Sequence, residues 1–352
     1  MPQVVAVILT YNRKELLQRT LNAVYAQTRP CDRVIVVDNA SHDGTRQFLL
    51  AADYPNLEVY VLSENIGASG GFNTGFRLAY QSGADFIWMM DDDIIAEPDA
   101  LQHLLAADEL LERQGTEHAF LISTAYTENG FITNTPGLSS LPNQIGYRNW
   151  PAWVAHGMAP VQRATFVSIL VPRSILAEHG LPIASMFIWG EDTEFTLRIT
   201  RDKPGFIVGA SKVVHLRQES GPISILTEHN PVRLKFHRHR IRNDIFIARK
   251  YKSFGAALLE AYKNAALLFS FLCKARFDKA RIIFYGLIES LWFFPDIEAV
   301  NAPFTMKVSI KKLRHLATSD IEIVPGSDLG MRETADRAIA PASPPVPPPF
   351  HR

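Results

Sequence analysis

Three consecutive carboxylates, Asp91 to Asp93, directly follow the apolar run FIWMM. In an extended chain, Asp91 and Asp93 would project to one side and Asp92 to the other. Neighbouring carboxylates repel one another unless a cation or hydrogen-bond donors offset their charge. A hard divalent ion is the simplest solution, and such an ion would in turn hold a diphosphate. The alternative is an acidic loop exposed to solvent.

A second acidic group lies in the segment WGEDTEF, where Glu191 and Asp192 stand beside Trp189. A carboxylate in an apolar, aromatic setting has the raised pKa that suits a general base. The alternative is a helix N-terminus whose acidic residues complement the helix dipole. His215 follows the strand-like FIVGASKVVHL and could supply a neutral imidazole to a metal ion.

Further polar residues follow other apolar runs. Thr10 to Arg13 come after VVAVILT, and Asp38 closes RVIVVD. Asp38 could accept a hydrogen bond from a uracil N–H or a ribose hydroxyl, or it could belong to an ordinary turn. The Gly-rich segment ENIGASGGFNTG could face an anion with its backbone N–H groups, or its glycines could permit close helix–sheet packing. Arg77, one turn further on, would face phosphate or solvent. The absence of GxGxxG and of a Walker lysine disfavours a dinucleotide fold and a P-loop NTPase.

These polar segments are positioned by alternating strands and helices. Apolar runs of strand length alternate with short helical patterns through residue 93, which predicts a parallel α/β sheet with right-handed crossovers. In such sheets, ligands bind beyond the carboxyl ends of the strands, where the polar residues fall. From 123 to 163 the periodicity fades into loop-like sequence. Beyond about Glu228 the pattern becomes helical.

Composition excludes several classes of protein. The chain has 352 residues, of which 47% are apolar and 20% charged, as in a soluble protein with a substantial core. Two cysteines without CxxC spacing fit a reducing compartment and argue against a cysteine zinc site. The N-terminus shows no signal-peptide pattern. Uninterrupted apolar stretches such as Ala265 to Cys273 are shorter than the ~20 residues that span a bilayer, which excludes a multi-span membrane protein.

The zero formal net charge conceals a division along the chain. Residues 1–228 carry a net charge of −9, and residues 229–320 carry +10. We therefore predict a catalytic domain over 1–227, a basic, aromatic-rich helical region over 228–324 and a disordered Pro-rich tail over 325–352. The basic helices suit an anionic membrane surface. The alternative is an ordinary helical subdomain or a homo-oligomer interface. Nucleic acid is disfavoured as a partner, because the acidic half already accounts for a small-molecule site.

The ordered series TYNR, VVDNASHDGT, ENIGASGGF, MDDD, GED and a later His resembles the inverting family 2 glycosyltransferases, from about Val4 to Arg217. The full DDD and the form FIWGEDTEF look most like bacterial galactofuranosyltransferases. The resemblance implies an α/β protein with the GT-A fold, a Rossmann-like, mostly parallel sheet flanked by helices. Here a C-terminal helical region follows it.

The resemblance also implies roles for residues on the donor side. The residues expected to hold uridine are Thr10, Tyr11, Arg13 and Asp38. Asn65 would lie near the ribose or the diphosphate, and Asp92 would touch the ribose or the sugar. The expected ligands of Mn²⁺ or Mg²⁺ are Asp91, Asp93 and His215.

On the acceptor side, the resemblance makes Asp192 the general base, with Glu191 and Trp189 in contact with the acceptor sugar. It implies transfer of galactofuranose from UDP-galactofuranose onto a glycan or lipid-linked glycan in cell-surface polysaccharide synthesis. The implied location is the cytoplasm, peripheral on the inner face of the plasma membrane. The alternatives are a rhamnosyl- or other hexosyltransferase of the same fold and a non-catalytic nucleotide-sugar-binding subunit.

Overall fold

The computed structural model describes residues 1–216, 223–304, 308–313 and 322–323. The predicted Pro-rich tail, from residue 325 onward, lies outside the described residues.

A parallel core of four strands forms the first part of the sheet. The strands are β1 (Val4–Thr10), β2 (Arg33–Asp38), β3 (Leu57–Leu62) and β4 (Phe86–Asp91), and they lie in the order β3-β2-β1-β4. The connecting helices are α1 (Lys14–Tyr25), α2 (Thr45–Ala51) and α3 (Gly67–Gln81). Every residue of β1 is buried, as its continuous apolar run predicts for a strand covered on both faces. The predicted parallel sheet is confirmed here.

The rest of the sheet is mixed. Its elements are β5 (Ile94–Ala96), α4 (Ala100–Arg113), β6 (Leu121–Tyr126), β7 (Gly137–Leu138), α5 (Pro151–Val154), β8 (Met158–Arg163), β9 (Ile169–Pro172), α6 (Arg173–His179), a 3₁₀ turn (Ala184–Met186), α7 (Glu191–Ile199), β10 (Gly205–His215), β11 (Ile310–Leu313) and β12 (Glu322–Ile323). The order continues from β4 as β9-β6-β10-β8-β7, with β5 beside β10 and with β11 and β12 beyond β3. Strand β9 runs antiparallel to both of its neighbours.

The sequence pattern missed part of this second half. Residues 123–163 looked like a loop, yet they include most of β6 and all of β7 and β8. In β6, Ser123 is buried because its hydroxyl hydrogen-bonds Ser168 at 2.8 Å and Ser211 at 2.7 Å. Such pairing lets polar residues enter a sheet core, and hydropathy alone cannot reveal it.

Three long helices follow and confirm the C-terminal helical region. They are α8 (Pro231–Tyr251), α9 (Phe254–Cys273) and α10 (Phe277–Trp292). They share a core around Ile283, which is fully buried. Helix α8 also packs against the preceding part of the chain, because Phe246 and Ile247 lie in one cluster with Ile183 and Met186.

Helix α9 differs from the expectation drawn from uninterrupted apolar runs. Among the described helices, it alone is long and apolar enough to cross a membrane. Most of its apolar surface is not covered by the rest of the protein. Glu260 and Lys263 interrupt the apolar run without making the helix polar overall. Length and composition alone are weak evidence for a membrane span.

Candidate functional site

Strand register brings the first polar residues to one edge of the sheet. In the parallel pairing, Thr10 lies opposite Asp38 on β2, and Leu9 lies opposite Asp91 on β4. Because the carboxyl ends of parallel strands meet at one edge, Thr10, Asp38 and Asp91 converge there as predicted.

The acidic triplet does not continue as an extended strand. Strand β4 ends at Asp91, and Asp92 and Asp93 form the turn that leads into β5. The expected alternation of the three side chains is therefore wrong. Two threonines hold the turn: Thr10 Oγ1 donates to Asp92 Oδ2 at 2.7 Å, and Thr20 Oγ1 donates to the Asp92 carbonyl at 2.7 Å.

Arg13 offsets much of the negative charge in this turn. Its Nη1 donates to Asp93 Oδ2 at 2.9 Å and to Asp92 Oδ1 at 3.2 Å. Burial nevertheless raises the pKa of Asp92 to about 6 and, together with the neighbouring acids, holds the pKa of Asp91 well above its usual range. We expected Arg13 at the uridine, and the structure places its guanidinium on the acids.

His215 reaches the triplet through strand pairing. Strand β10 runs antiparallel to β5 with His215 opposite Ile94, which places the imidazole beside Asp93. Its Nε2 lies 3.4 Å from Asp93 Oδ1, and its Nδ1 lies 2.8 Å from Asn134 Oδ1. Because the amide oxygen of Asn134 accepts, Nδ1 carries a proton, and Nε2 is the ring nitrogen that faces Asp93. No sequence pattern pointed to Asn134, which lies in the segment expected to be a loop.

The donor set around Asp93 fits a divalent ion. Within the described residues, Asp93 Oδ1 is buried without a hydrogen-bond partner, and it faces the imidazole. Carboxylate oxygen and imidazole nitrogen are ligands that Mn²⁺ accepts. Over the same part of the chain, however, no three His, Cys, Asp or Glu side chains are already grouped as a metal centre. Asp93 and His215 are therefore brought together, and the inclusion of Asp91 stays a prediction.

The residues predicted near the nucleoside are partly engaged with the protein itself. Asp38 is fully buried, and its Oδ1 accepts the Ser41 N–H at 2.9 Å. Its Oδ2 has no partner among the described residues, and burial raises its pKa. Asn65 Oδ1 accepts the Gly67 N–H at 2.8 Å and the Asn39 amide at 3.1 Å. Tyr11 lies at the surface, 41% exposed.

The Gly-rich segment serves close packing. A Cβ on Gly71 would come within 2.3 Å of Leu9, and one on Gly67 within 2.1 Å of the Phe187 carbonyl oxygen. The N–H of Ser69, in the first turn of α3, donates to that same carbonyl at 3.0 Å. Of the two alternatives drawn from the sequence, the structure thus favours helix–sheet packing.

Arg77 faces neither phosphate nor solvent, so both expectations for it are wrong. The side chain is buried, pairs with Glu298 and donates to the carbonyls of Val300 and Ala302. The residue Val300, which accepts one of these hydrogen bonds, lies more than 220 positions further along the chain, so the local sequence could not reveal this role of Arg77.

The second acidic group begins α7. Glu191 is 5% exposed, and burial, with Asp192 beside it, raises its pKa to about 8. Burial also raises the pKa of Asp192, whose Oδ1 accepts the Thr193 N–H at 2.6 Å. When ionised, Glu191 adds slightly to the raised pKa of Asp91, behind burial and the neighbouring acids. The two acidic groups therefore lie within electrostatic range of each other.

Glu194, the third acidic residue of WGEDTEF, has a structural role. It is fully buried, pairs with Arg198 at 3.0 Å and accepts a hydrogen bond from the Tyr251 hydroxyl at the end of α8.

The backbone just before α7 is unusual. Positive φ values occur at Phe187 (67°), Trp189 (60°) and Gly190 (120°). Phe187 has ψ −62° and is the centre of a γ-turn closed by a 2.9 Å hydrogen bond from the Ile188 N–H to the Met186 carbonyl. This is the rare, strained γ-turn, and strained residues cost about 1–3 kcal/mol each. The Trp189 ring packs beside the rings of Phe236 and His237 of α8.

Comparison with known proteins identifies the first part of the chain. The model of the family "Glycosyl transferase family 2" matches residues 5–170. This part of the chain therefore matches a family 2 glycosyltransferase domain. Together with the sheet described above, this match confirms the predicted GT-A fold. The matched range includes the DDD turn and ends before Asp192 and His215.

Relatives of this glycosyltransferase domain include galactofuranosyltransferase GlfT1 of Mycolicibacterium smegmatis, 42% identical over 26% of this chain and 30% of that protein. GlfT1 of Mycobacterium tuberculosis is 32% identical over 56% of this chain and 64% of its own length. The chain therefore covers less than two thirds of either relative. The crystal structure of GalNAc-T7 with UDP, GalNAc and Mn²⁺ aligns with a TM-score of 0.49 at 15% identity, over 71% of this chain and 49% of that one.

Proposed function

We propose that this protein is a metal-dependent, inverting glycosyltransferase that moves galactofuranose from UDP-galactofuranose onto a glycan or lipid-linked glycan. The observation that carries the proposal is the meeting of two distant segments, since His215 Nε2 at the end of β10 lies 3.4 Å from Asp93 Oδ1. The small effect of Glu191 on the pKa of Asp91 supports the inclusion of the second acidic group. The similarity to GlfT1 supports the choice of galactofuranose.

On the donor side, the strand ends supply the nucleotide contacts. The buried Oδ2 of Asp38 would accept from the uracil ring or a ribose hydroxyl, with Thr10 and Tyr11 beside it. Asp92 would touch the ribose or sugar, and Asn65 would offer its amide nitrogen near the diphosphate. Arg13 would release the acids and turn to the nucleotide.

Asp91, Asp93 and His215 would hold Mn²⁺ or Mg²⁺. When bound, the ion offsets the charge that develops on the departing diphosphate. The residues themselves prepare this site, because the hydrogen bond from His215 Nδ1–H to Asn134 leaves Nε2 as the ligand atom.

On the acceptor side, Asp192 would remove the proton from the acceptor hydroxyl, and that oxygen would attack the anomeric carbon opposite UDP. One displacement inverts the anomeric configuration. The raised pKa of Asp192 makes it a better base than an ordinary aspartate. Glu191 and Trp189 would contact the acceptor sugar.

The helical region would bring the enzyme to the inner face of the plasma membrane. Exposed apolar residues concentrate on α9 and α10, among them Phe269, Tyr262, Phe277, Phe284 and Trp292. Phe271, in contrast, is buried in the core of this region. Residues 229–320 carry a net charge of +10, which favours an anionic bilayer and suits a lipid-linked acceptor. A homo-oligomer covering the same face is the competing arrangement. Flotation with anionic and with neutral vesicles distinguishes them, because only membrane binding depends on the lipid charge.

A panel of UDP- and dTDP-sugars, with and without Mn²⁺, tests the function. We expect nucleotide release from UDP-galactofuranose onto a galactose- or rhamnose-terminated lipid acceptor, and only with the ion. Release from another donor would favour a rhamnosyl- or other hexosyltransferase. Nucleotide binding without transfer to any acceptor would indicate a non-catalytic subunit.

A further inference from the structure

The segment that carries Trp189 and leads into α7 is strained, and α8 lies directly against it. Three of the four residues from 187 to 190 have positive φ. Two of them, Phe187 and Trp189, are not glycine, and L side chains rarely adopt this conformation. Such a conformation persists only where the surrounding structure determines it. The contacts that do so here come from one helix turn of the C-terminal region.

Asn243 of α8 is fully buried and makes these contacts with its side-chain amide. Its Nδ2 lies 3.0 Å from the Met186 carbonyl oxygen, 3.2 Å from that of Ile188 and 2.9 Å from that of Trp189. A single amide nitrogen thus spans the γ-turn and the residue that follows it.

The neighbouring Arg242 fixes the orientation of that amide. Its guanidinium donates to Asn243 Oδ1 from Nε at 3.1 Å and from Nη2 at 3.0 Å, so the nitrogen must face the carbonyls. Arg242 Nη2 also donates to the carbonyls of Ser185 and Met186, each at 3.0 Å. On the other side of the segment, the Ser69 N–H holds the Phe187 carbonyl.

We infer that Asn243 is a positioning residue of the glycosyltransferase. Held by Asn243, the strained segment sets the direction of Trp189 and the start of α7, and hence the place of Asp192 relative to an acceptor sugar. The C-terminal helical region therefore completes the acceptor side of the cleft. This inference rests on the proposed function, since it assigns to Asn243 a part in orienting the acceptor.

The test compares Asn243→Ala and Asn243→Asp with the wild type. The aspartate keeps the size of the side chain but replaces the donor by an acceptor facing three carbonyls. We expect kcat/KM for the acceptor to fall about 10- to 100-fold in both variants, because misplaced reacting groups lose rate steeply. Binding of UDP with Mn²⁺, measured by calorimetry, should change less than about twofold, because no donor residue touches Asn243.

A matched control separates positioning from stability. Ile283→Ala opens the core of the helical region, in which Ile283 is fully buried, and it should lower the melting temperature while leaving acceptor kinetics unchanged. The inference is overturned if the Asn243 variants behave like Ile283→Ala, or if their affinity for UDP falls as much as their turnover.

Hydrogen exchange of residues 185–193 provides a readout that does not need activity. The amides of the γ-turn should exchange faster in Asn243→Ala than in Ile283→Ala, and equal rates would contradict the positioning role. If the wild type transfers no sugar to any acceptor, the proposed function fails, and this exchange comparison still decides whether Asn243 holds the segment.

Discussion

The proposed donor side of the site lies at the ends of parallel strands, whereas the proposed acceptor side lies on an irregular segment between a 3₁₀ turn and α7. On the donor side, Thr10, Asp38 and Asp91 take their places from strand register alone. On the acceptor side, Trp189 takes its place from a strained backbone and from Asn243, more than 50 residues away. A regular sheet can thus supply a fixed nucleotide site, while the acceptor site depends on contacts from the appended helices.

The largest effect that separates the two sides is expected at the base. Asp192→Asn should lower turnover by at least ~100-fold, because the amide cannot accept the acceptor proton. UDP affinity should change little, since Asp192 belongs to the acceptor side. Steady-state kinetics and UDP calorimetry check both statements. An equal loss of UDP binding would move Asp192 to the donor side.

A smaller but selective effect is expected at the donor-side acids. Asp93→Ala and His215→Ala should each weaken UDP binding chiefly when Mn²⁺ is present, because both side chains would hold the ion. Calorimetry with Mn²⁺ and with a chelator measures the difference. His103→Ala, at a remote histidine that pairs with Asp99, serves as the control and should have no effect. Affinities that stay the same under both conditions would remove the metal assignment.

A positioning effect is expected at Asn134, which contacts His215 and would not contact the ion itself. Asn134→Ala should weaken Mn²⁺-dependent UDP binding by about tenfold, because His215 loses the acceptor that fixes its tautomer. Asn143→Ala is the matched control, since Asn143 lies in the same segment and only closes a local turn. If the two variants bind UDP alike, the hydrogen bond to His215 has no role at the metal site.

The last expected effect concerns stability. The pKa of Glu191 is about 8 in the folded protein, against 4.5 as its ordinary value, so the folded state keeps a proton that the unfolded chain releases between these pH values. Stability therefore falls as pH rises through this window, by up to about 1.4 kcal/mol per pH unit for this one group. Glu191→Gln cannot ionise, and its free energy of unfolding should vary less steeply with pH. Urea unfolding from pH 5 to 8 in a chelating buffer measures both slopes.

The control for this prediction is Glu128→Gln, at an exposed glutamate, which should keep the wild-type slope. Parallel curves for wild type and Glu191→Gln would mean that Glu191 is ionised in the fold.

The sequence predicted the donor side better than the acceptor side for a physical reason. The apolar runs of β1, β2 and β4 define the strands, and a parallel sheet then dictates which ends meet. This reasoning located Thr10, Asp38 and the acidic triplet. It failed at the turn of Asp92 and Asp93, which hydrogen bonds from Thr10 and Thr20 hold, because the strand ends two residues earlier than the alternation required.

Residues that act through distant backbone groups gave no such signal. Asn243 looks like any polar residue of a basic helix, and Asn134 like any loop asparagine, until the fold shows which carbonyls or imidazole they meet. For Arg77 the local pattern suggested a function that the fold does not support. The Gly-rich segment before it pointed to a phosphate, whereas the segment around Val300 buries its side chain. Local patterns report strand ends well and long-range polar contacts poorly.

The claim that Asp93, His215 and Asp192 line one cleft is tested most directly by anomalous diffraction from crystals grown with UDP and Mn²⁺. We predict one strong manganese peak bonded to Asp93 and to Nε2 of His215, with the Asp192 carboxylate facing the same cavity. A peak elsewhere, or a histidine turned away from the ion, would contradict the account.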